Sequence, residues 1–199
     1  MKVVENILEL VGRTPMVRLR RLEQASGVES CAEIWAKLEY LNPGGSIKDR
    51  AALGIVLDAE RRGVLLPGDT IVEATAGNTG VARFFKKKRA GILTVAVEPQ
   101  GSVLEGGEPG PHEVEGIGVS FIPATFDRSV CDRVMKVMDE PAFAMVKRLA
   151  AEEGVFAGSS AGAMLCAAVD VAKELGAGKR VVTVIPDSAE RYLSKGLLE

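Results

Sequence analysis

A lysine stands where a helix is due to begin. The run Asn42-Pro43-Gly44-Gly45-Ser46-Ile47-Lys48-Asp49-Arg50 is a Gly/Pro turn leading into a segment with helical apolar spacing. Two readings stand side by side. In one, Ser46 is the N-cap, Asp49 completes a variant capping box and Lys48 is solvated. In the other, Lys48 lies in the first helical turn, where the dipole opposes a cation and favours a neutral amine. A neutral lysine amine is the nucleophile that Schiff-base chemistry requires.

Other turns could receive an acidic group. Thr75-Ala76-Gly77-Asn78-Thr79-Gly80 offers backbone N–H groups and small side chains at a helix start, which suits a carboxylate or a phosphate. Gly158-Ser159-Ser160-Ala161-Gly162 opens an Ala-rich stretch, and taken alone its serines read as N-caps. A fourth turn, 186–188, follows the last strand.

Several chemistries find no support. His112, the single histidine, adjoins the Gly/Pro-rich stretch 106–111, so it reads as a loop residue and no Ser-His-Asp relay is expected. Cys31, Cys131 and Cys166 are scattered and odd in number, without a CxxC. A disulfide framework, a zinc ribbon or another metal site is therefore not expected, and a reducing, cytoplasmic setting fits. The net charge of −2 suggests neither a nucleic-acid footprint nor a polybasic membrane anchor. Lys86-Lys87-Lys88-Arg89 is the only like-charge run and reads as a helix end. No apolar stretch approaches the length of a membrane span, and residues 1–10 do not read as a signal peptide.

The elements that must position these turns alternate between strand and helix. Residues 32–41 (AEIWAKLEYL) predict a strand with Ile34, Ala36, Leu38 and Tyr40 on one face. Residues 46–62 predict a helix with Ile47, Leu53, Val56 and Leu57 as its apolar stripe. A short strand over 70–74, a helix over 81–89 and a strand over 92–97 follow, then a long loop to about residue 118. Residues 140–153 predict a helix packing Phe143, Val146, Leu149 and Ala150. A short strand over 155–157, a helix over 161–175 and a strand over 180–185 (RVVTVI), covered on both faces, complete the chain. This alternation predicts one α/β domain over 1–199, mainly a parallel twisted sheet with helices on both faces. Ligands of such sheets sit in the turns after the strands.

Taken together, the turns resemble one family. AKLEYL followed by Asn-Pro-Gly-Gly-Ser-Ile-Lys-Asp-Arg resembles the lysine motif of cysteine synthases and cystathionine β-synthases, which use pyridoxal 5'-phosphate (PLP). EATAGNTG (73–80) resembles their substrate-carboxylate loop. VEP (97–99), GGEPGPH (106–112), EGIG (115–118), GSSAG (158–162) and PDSAERYLS (186–194) follow in the family's order. The resemblance implies a tryptophan-synthase-β-like PLP fold, with residues 1–80 as the PLP-lysine part and 81–199 as the C-terminal part. It implies β-replacement on serine or O-acetylserine to give cysteine or cystathionine, by a cytoplasmic homodimer acting on an amino-acid substrate.

Roles for single residues follow from the same resemblance. Lys48 is the Schiff-base lysine and later moves protons. Asn78 hydrogen-bonds the cofactor's ring hydroxyl, and Ser160 meets the pyridine nitrogen. Asp187 and Ser188 lie near the same edge of the ring. Thr75, Gly77, Thr79 and Gly116 are on the substrate side. GSSAG and the segment 191–195 lean towards the cystathionine β-synthase branch.

The chain departs from that family in one respect. Family members continue after the GNTG loop through a substrate-closing subdomain and a Gly/Thr-rich loop that cups the phosphate. This chain passes at Gly80-Val81 directly into VARFFKKKRAG. Ala76 also stands where the family carries serine. The departure weakens the expected hold on PLP, removes strands from the sheet and exposes apolar edges. It leaves a second reading: a catalytically inactive remnant that serves as a binding or dimerising module.

Overall fold

The computed structural model describes residues 3–25, 31–63, 93–123, 126 and 128–195. Among the described residues, five strands and four α-helices carry the architecture: β1 (Met16–Arg18), α1 (Arg20–Ala25), β2 (Glu33–Leu38), α2 (Lys48–Arg61), β3 (Val95–Pro99), β4 (Arg133–Val137), α3 (Asp139–Glu153), α4 (Ser159–Leu175) and β5 (Arg180–Ile185). Among the described residues they form two sheets, one ordered β1-β2-β5 and one pairing β3 with β4. β2 and β5 run parallel from Glu33↔Arg180 to Leu38↔Ile185. β3 and β4 are also parallel, from Val95↔Arg133 to Pro99↔Val137. β1 lies antiparallel on β2.

The period-2 pattern of β2 sends Ile34, Ala36 and Leu38 into the core. They meet Leu19 and Leu22 from the N-terminal segment, Leu149 from α3, Leu165 from α4 and Ile185 from β5. Fully burying each such leucine or isoleucine contributes about 1.5–3 kcal/mol. α4 is the central helix: eleven of its residues are buried, and small side chains let its neighbours come close. A Cβ at Gly162 would stand 2.1 Å from the Ala142 carbonyl oxygen of α3. α3 stops at Gly154, whose φ of 68° lets its N–H close on the carbonyls of Leu149 and Ala150.

The structure corrects several expectations. β2 ends at Leu38, and Glu39–Leu41 is a 3-10 turn, so Tyr40 is not on the strand face. The Gly/Pro turn that follows tightens the chain early, with the Asn42 N–H donating to the Glu39 carbonyl at 3.2 Å. α2 begins at Lys48, and Leu57 is 48% exposed, so its apolar stripe is not a core face among the described residues. Residues 155–157 are not a strand; the Val155 N–H turns back to the Leu149 carbonyl. α4 starts two residues earlier than expected, with Ser159 and Ser160 inside it and Gly158 as its N-cap, so neither serine caps it. β5 is covered on one side only by the described residues: Thr183 and Ile185 are buried while Val182 is 63% exposed. β4 and β1 were not anticipated. The elements expected over 70–74 and 81–89, and the basic run 86–89, lie outside the described residues.

Candidate active site

The parallel strands β2 and β5 end side by side at Leu38 and Ile185. The turns beyond them meet: Ser46 bridges Asp187, and the Ile47 N–H donates to the Pro186 carbonyl at 2.8 Å. The N-terminus of α4 joins from the other side, where the Gly158 N–H donates to the Asp187 carbonyl at 3.3 Å. Gly158 must be small here. A Cβ would lie 2.3 Å from Asp187 Oδ1 and 2.6 Å from the Tyr192 ring.

Lys48 is the first residue of α2 and is exposed. Its amine forms no hydrogen bond or ion pair among the described residues. Its charge reaches Asp187 and opposes the rise of that carboxyl. Ser46 Oγ accepts from the Lys48 N–H at 3.3 Å. Asp49 does not reach back to Ser46 as a capping box would; its carboxylate accepts from the Gly44 N–H at 2.5 Å and pins the turn.

Ser160 is 2% exposed, and its hydroxyl forms no hydrogen bond among the described residues. Gly116 faces it: with φ at +82°, a Cβ there would stand 3.8 Å from Ser160 Oγ. The loop carrying Gly116 is tied down along its length. Ser159 Oγ accepts from the Glu115 N–H at 2.9 Å, and the Asp139 carboxylate accepts from Glu113 and Val114 at 2.8 and 3.2 Å. The fully buried Glu98 accepts from the Leu104 N–H at 2.8 Å, and Ser102 Oγ accepts from the Val119 N–H at 2.9 Å. His112 is a loop residue, with Nδ1 3.0 Å from the Val114 carbonyl and its ring against Gly118.

Asp187 is the second polar group of the cluster. Its Oδ2 accepts from Tyr192 Oη at 2.7 Å, while Oδ1 is buried with no hydrogen-bond partner. Burial raises its carboxyl above the ordinary aspartate value, against the Tyr192 bond and the charges of Arg191 and Lys48. Burial also raises the Tyr192 hydroxyl, and the bond to Asp187 raises it further. Ser188 follows Asp187, half-buried, its carbonyl accepting from the Arg191 N–H at 3.4 Å.

The structure thus brings Lys48, Gly116, Ser160, Asp187 and Ser188 to one end of the β2–β5 ladder. Thr75, Gly77, Asn78 and Thr79 lie outside the described residues. Sequence reasoning missed a second set that holds the lysine turn. Glu39, Thr14 and Asn42 are buried around the Arg50 side chain, and Arg191 donates to the Gly44 carbonyl at 2.7 Å. The available signal was Glu39 itself, a charge at the end of a run otherwise shaped for burial.

Known proteins resemble this chain along its length. The profile of the family described as "Pyridoxal-phosphate dependent enzyme" matches in two pieces, residues 7–82 and 79–187. The pieces meet at Gly80-Val81, where the sequence departs from the resembled pattern. A cysteine synthase of Staphylococcus aureus (strain Mu50 / ATCC 700699) is 33% identical over 306 residues, covering 98% of this chain and 97% of that protein. An O-acetylserine dependent cystathionine beta-synthase of Bacillus subtilis (strain 168) is 32% identical over 308 residues, covering 100% of this chain and 99% of that protein. Both alignments are longer than the 199 residues here, so roughly a third of their positions face a gap in this chain. The crystal structure of O-acetyl serine sulfhydrylase isoform 3 from Entamoeba histolytica superposes with a TM-score of 0.91 at 25% identity, covering 98% of this chain and 92% of that one. On this evidence the chain is an α/β protein that belongs to the family of pyridoxal-phosphate dependent enzymes.

Proposed function

We propose that the chain catalyses β-replacement on serine or O-acetylserine, giving cysteine or cystathionine. Relatives named cysteine synthase and O-acetylserine dependent cystathionine beta-synthase support the reaction class. The single observation that carries it is a lysine amine at a helix start, without a hydrogen bond or ion pair among the described residues, beside the orphaned Asp187 Oδ1.

Those groups fit the ring end of PLP. The Ser160 hydroxyl makes no hydrogen bond among the described residues, and the orphaned Asp187 Oδ1 needs a polar partner, because a buried polar atom left without one costs free energy. Gly116 leaves the approach to Ser160 open. When bound, PLP supplies an electron sink conjugated to the amino acid's Cα, so that a β-substituent can leave and a thiol or sulfide can take its place. Lys48 holds the cofactor covalently and then takes and returns the proton at substrate Cα. Ser160 offers the ring nitrogen a neutral hydroxyl, which does not hold that nitrogen protonated as a carboxylate would. Asp187 and Ser188 line the adjacent edge. Asn78 is assigned to the ring hydroxyl, and Thr75, Gly77, Thr79 and Gly116 to the substrate side.

The test is spectroscopic first. Addition of PLP to the pure chain should give the visible absorbance band of lysine-bound cofactor, and Lys48→Ala should remove it. A missing band, or one that survives Lys48→Ala, refutes a working site. Turnover of O-acetylserine with sulfide or homocysteine then identifies the acceptor.

A second reading, an inactive binding or dimerising module, is favoured by the length of the gap against the relatives. The reading includes a homodimer, supported by the exposed β5 residue Val182. Sedimentation equilibrium measures it. Cytoplasmic placement is supported by three free thiols.

A further inference from the structure

Among the described residues the Lys48 amine has no hydrogen bond or ion pair to fix it. The N-cap residue of its helix, Ile47, is itself helical in φ and ψ and makes no side-chain capping bond. Placement of the amine therefore falls to the backbone of the turn and the first helical turn. Both are tied to one carboxylate.

Glu39 is 2% exposed, and each of its oxygens takes two donors. Oε1 accepts from Thr14 Oγ1 at 2.7 Å and Arg50 Nη2 at 3.0 Å. Oε2 accepts from Arg50 Nε at 2.6 Å and Asn42 Nδ2 at 2.9 Å. Lys37 Nζ adds a cation 3.6 Å from Oε1. Asn42 opens the turn, and Arg50 lies in the first helical turn, two residues beyond Lys48. One buried carboxylate therefore clamps the chain on both sides of the lysine. The clamp is closed from above by the N-terminal segment. The Gly12 N–H donates to Asn42 Oδ1 at 2.7 Å, and Gly12, at φ +86°, lies so close to the guanidinium that a Cβ would be 2.9 Å from Nη1.

We infer that Glu39 is the positioning residue for Lys48, acting through Arg50 and Asn42. The inference rests on the proposed role of Lys48 as the cofactor-holding lysine. A bidentate arginine–carboxylate fork adds directional constraint to charge, which a solvated lysine helix start would not need. The carboxylate is the part that cannot be replaced: an amide at this position still fills space but cannot accept from all four donors.

The test uses the full chain with Glu39→Gln, Glu39→Asp and Arg50→Lys, and two readouts. Without cofactor, hydrogen exchange over residues 42–52 should quicken about tenfold in Glu39→Gln, while α4 and the β2–β5 ladder keep their protection. With cofactor, borohydride-trapped PLP on Lys48, measured against Lys173 by peptide mass spectrometry, should fall by about tenfold, and Glu39→Asp should restore part of it. Arg50→Lys keeps the charge but loses the fork and should move both readouts the same way. If Glu39→Gln does not fold, Arg50→Lys decides. Unchanged exchange over 42–52, or protection lost throughout the chain alike, overturns the inference. If the unsubstituted chain traps no PLP on Lys48, the proposed function fails and the exchange experiment alone judges the positioning.

Discussion

Tyr192 donates a 2.7 Å hydrogen bond to one oxygen of Asp187, while the other oxygen lies buried with no hydrogen-bond partner. The carboxylate is therefore half satisfied. Burial lifts its carboxyl above the ordinary 3.8, and the tyrosine bond holds part of that rise back. Tyr192→Phe should lift it further, visible as a shifted Asp187 side-chain carboxyl titration by carbon-13 NMR. The sign for stability follows by linkage. A carboxyl raised in the folded state binds its proton more tightly there, so stability falls as pH climbs from 3.8 through the folded value. Tyr192→Phe should enlarge that fall and cost about 1–3 kcal/mol in urea unfolding at neutral pH. An unmoved Asp187 titration would show that the hydrogen bond does not form in solution.

Gly116 and Ser160 face one another across the approach to the hydroxyl proposed to meet the cofactor ring. Gly116→Ala places a methyl in that space, 3.8 Å from Ser160 Oγ, at a φ of +82°. The backbone strain should cost about 1 kcal/mol of stability. Loss of PLP affinity should be larger, about tenfold or more, because the methyl stands in the approach itself. Urea unfolding and a PLP absorbance titration separate the two. An affinity that holds while stability drops would place the cofactor elsewhere.

Much of the β2–β5 end of the molecule was legible in the sequence because its signals are local. The alternation of Ile34, Ala36 and Leu38 marks a strand face, and the Gly/Pro turn marks where the strand gives way to the start of α2. The boundaries were less legible where a distant partner sets them. Ser160 reads as a cap in isolation. Its burial depends on the loop carrying Glu115 and Gly116, and Ser159 meets the Glu115 N–H across 44 residues of sequence. β4 was invisible for a related reason: Arg133 and Lys136 break its apolar pattern, and its only described ladder is with β3, far back in the chain. Glu39 fell on the face of an expected strand opposite Ile34, Ala36 and Leu38. The strand ends one residue before it, and the 3-10 turn carries its carboxylate inward to Arg50.

Cys166 sits on the α3-facing side of α4, its thiol donating to the Pro141 carbonyl at 3.3 Å. Burial, aided by the charge of Asp170 and opposed by Arg148, pushes that thiol up to about 11. Thiolate is the reactive form, so alkylation at pH 8 should run about a hundredfold slower than for an unstructured cysteine peptide. Iodoacetamide labelling followed by peptide mass spectrometry measures it. Labelling in urea should recover the peptide rate, and a fast native rate would mean that α3 and α4 part readily.

Two glycines within helices should respond in opposite ways to the same substitution. Gly162 of α4 packs so closely on α3 that a Cβ would meet the Ala142 carbonyl oxygen at 2.1 Å and Val146 Cγ2 at 2.7 Å. Backbone cannot swing aside as a side chain can, so the two helices must separate. Gly54 of α2 has nothing within 4 Å of the same atom. Alanine is the better helix former by about 1 kcal/mol, a gain available at both positions. At Gly54 that gain stands alone, so Gly54→Ala should raise the urea midpoint. At Gly162 overpacking of about 1–3 kcal/mol or more outweighs it, so Gly162→Ala should lower the midpoint and loosen the Ser159–Ser160 end of α4 with it. If Gly162→Ala is as stable as Gly54→Ala, the close α3–α4 approach is not present in solution.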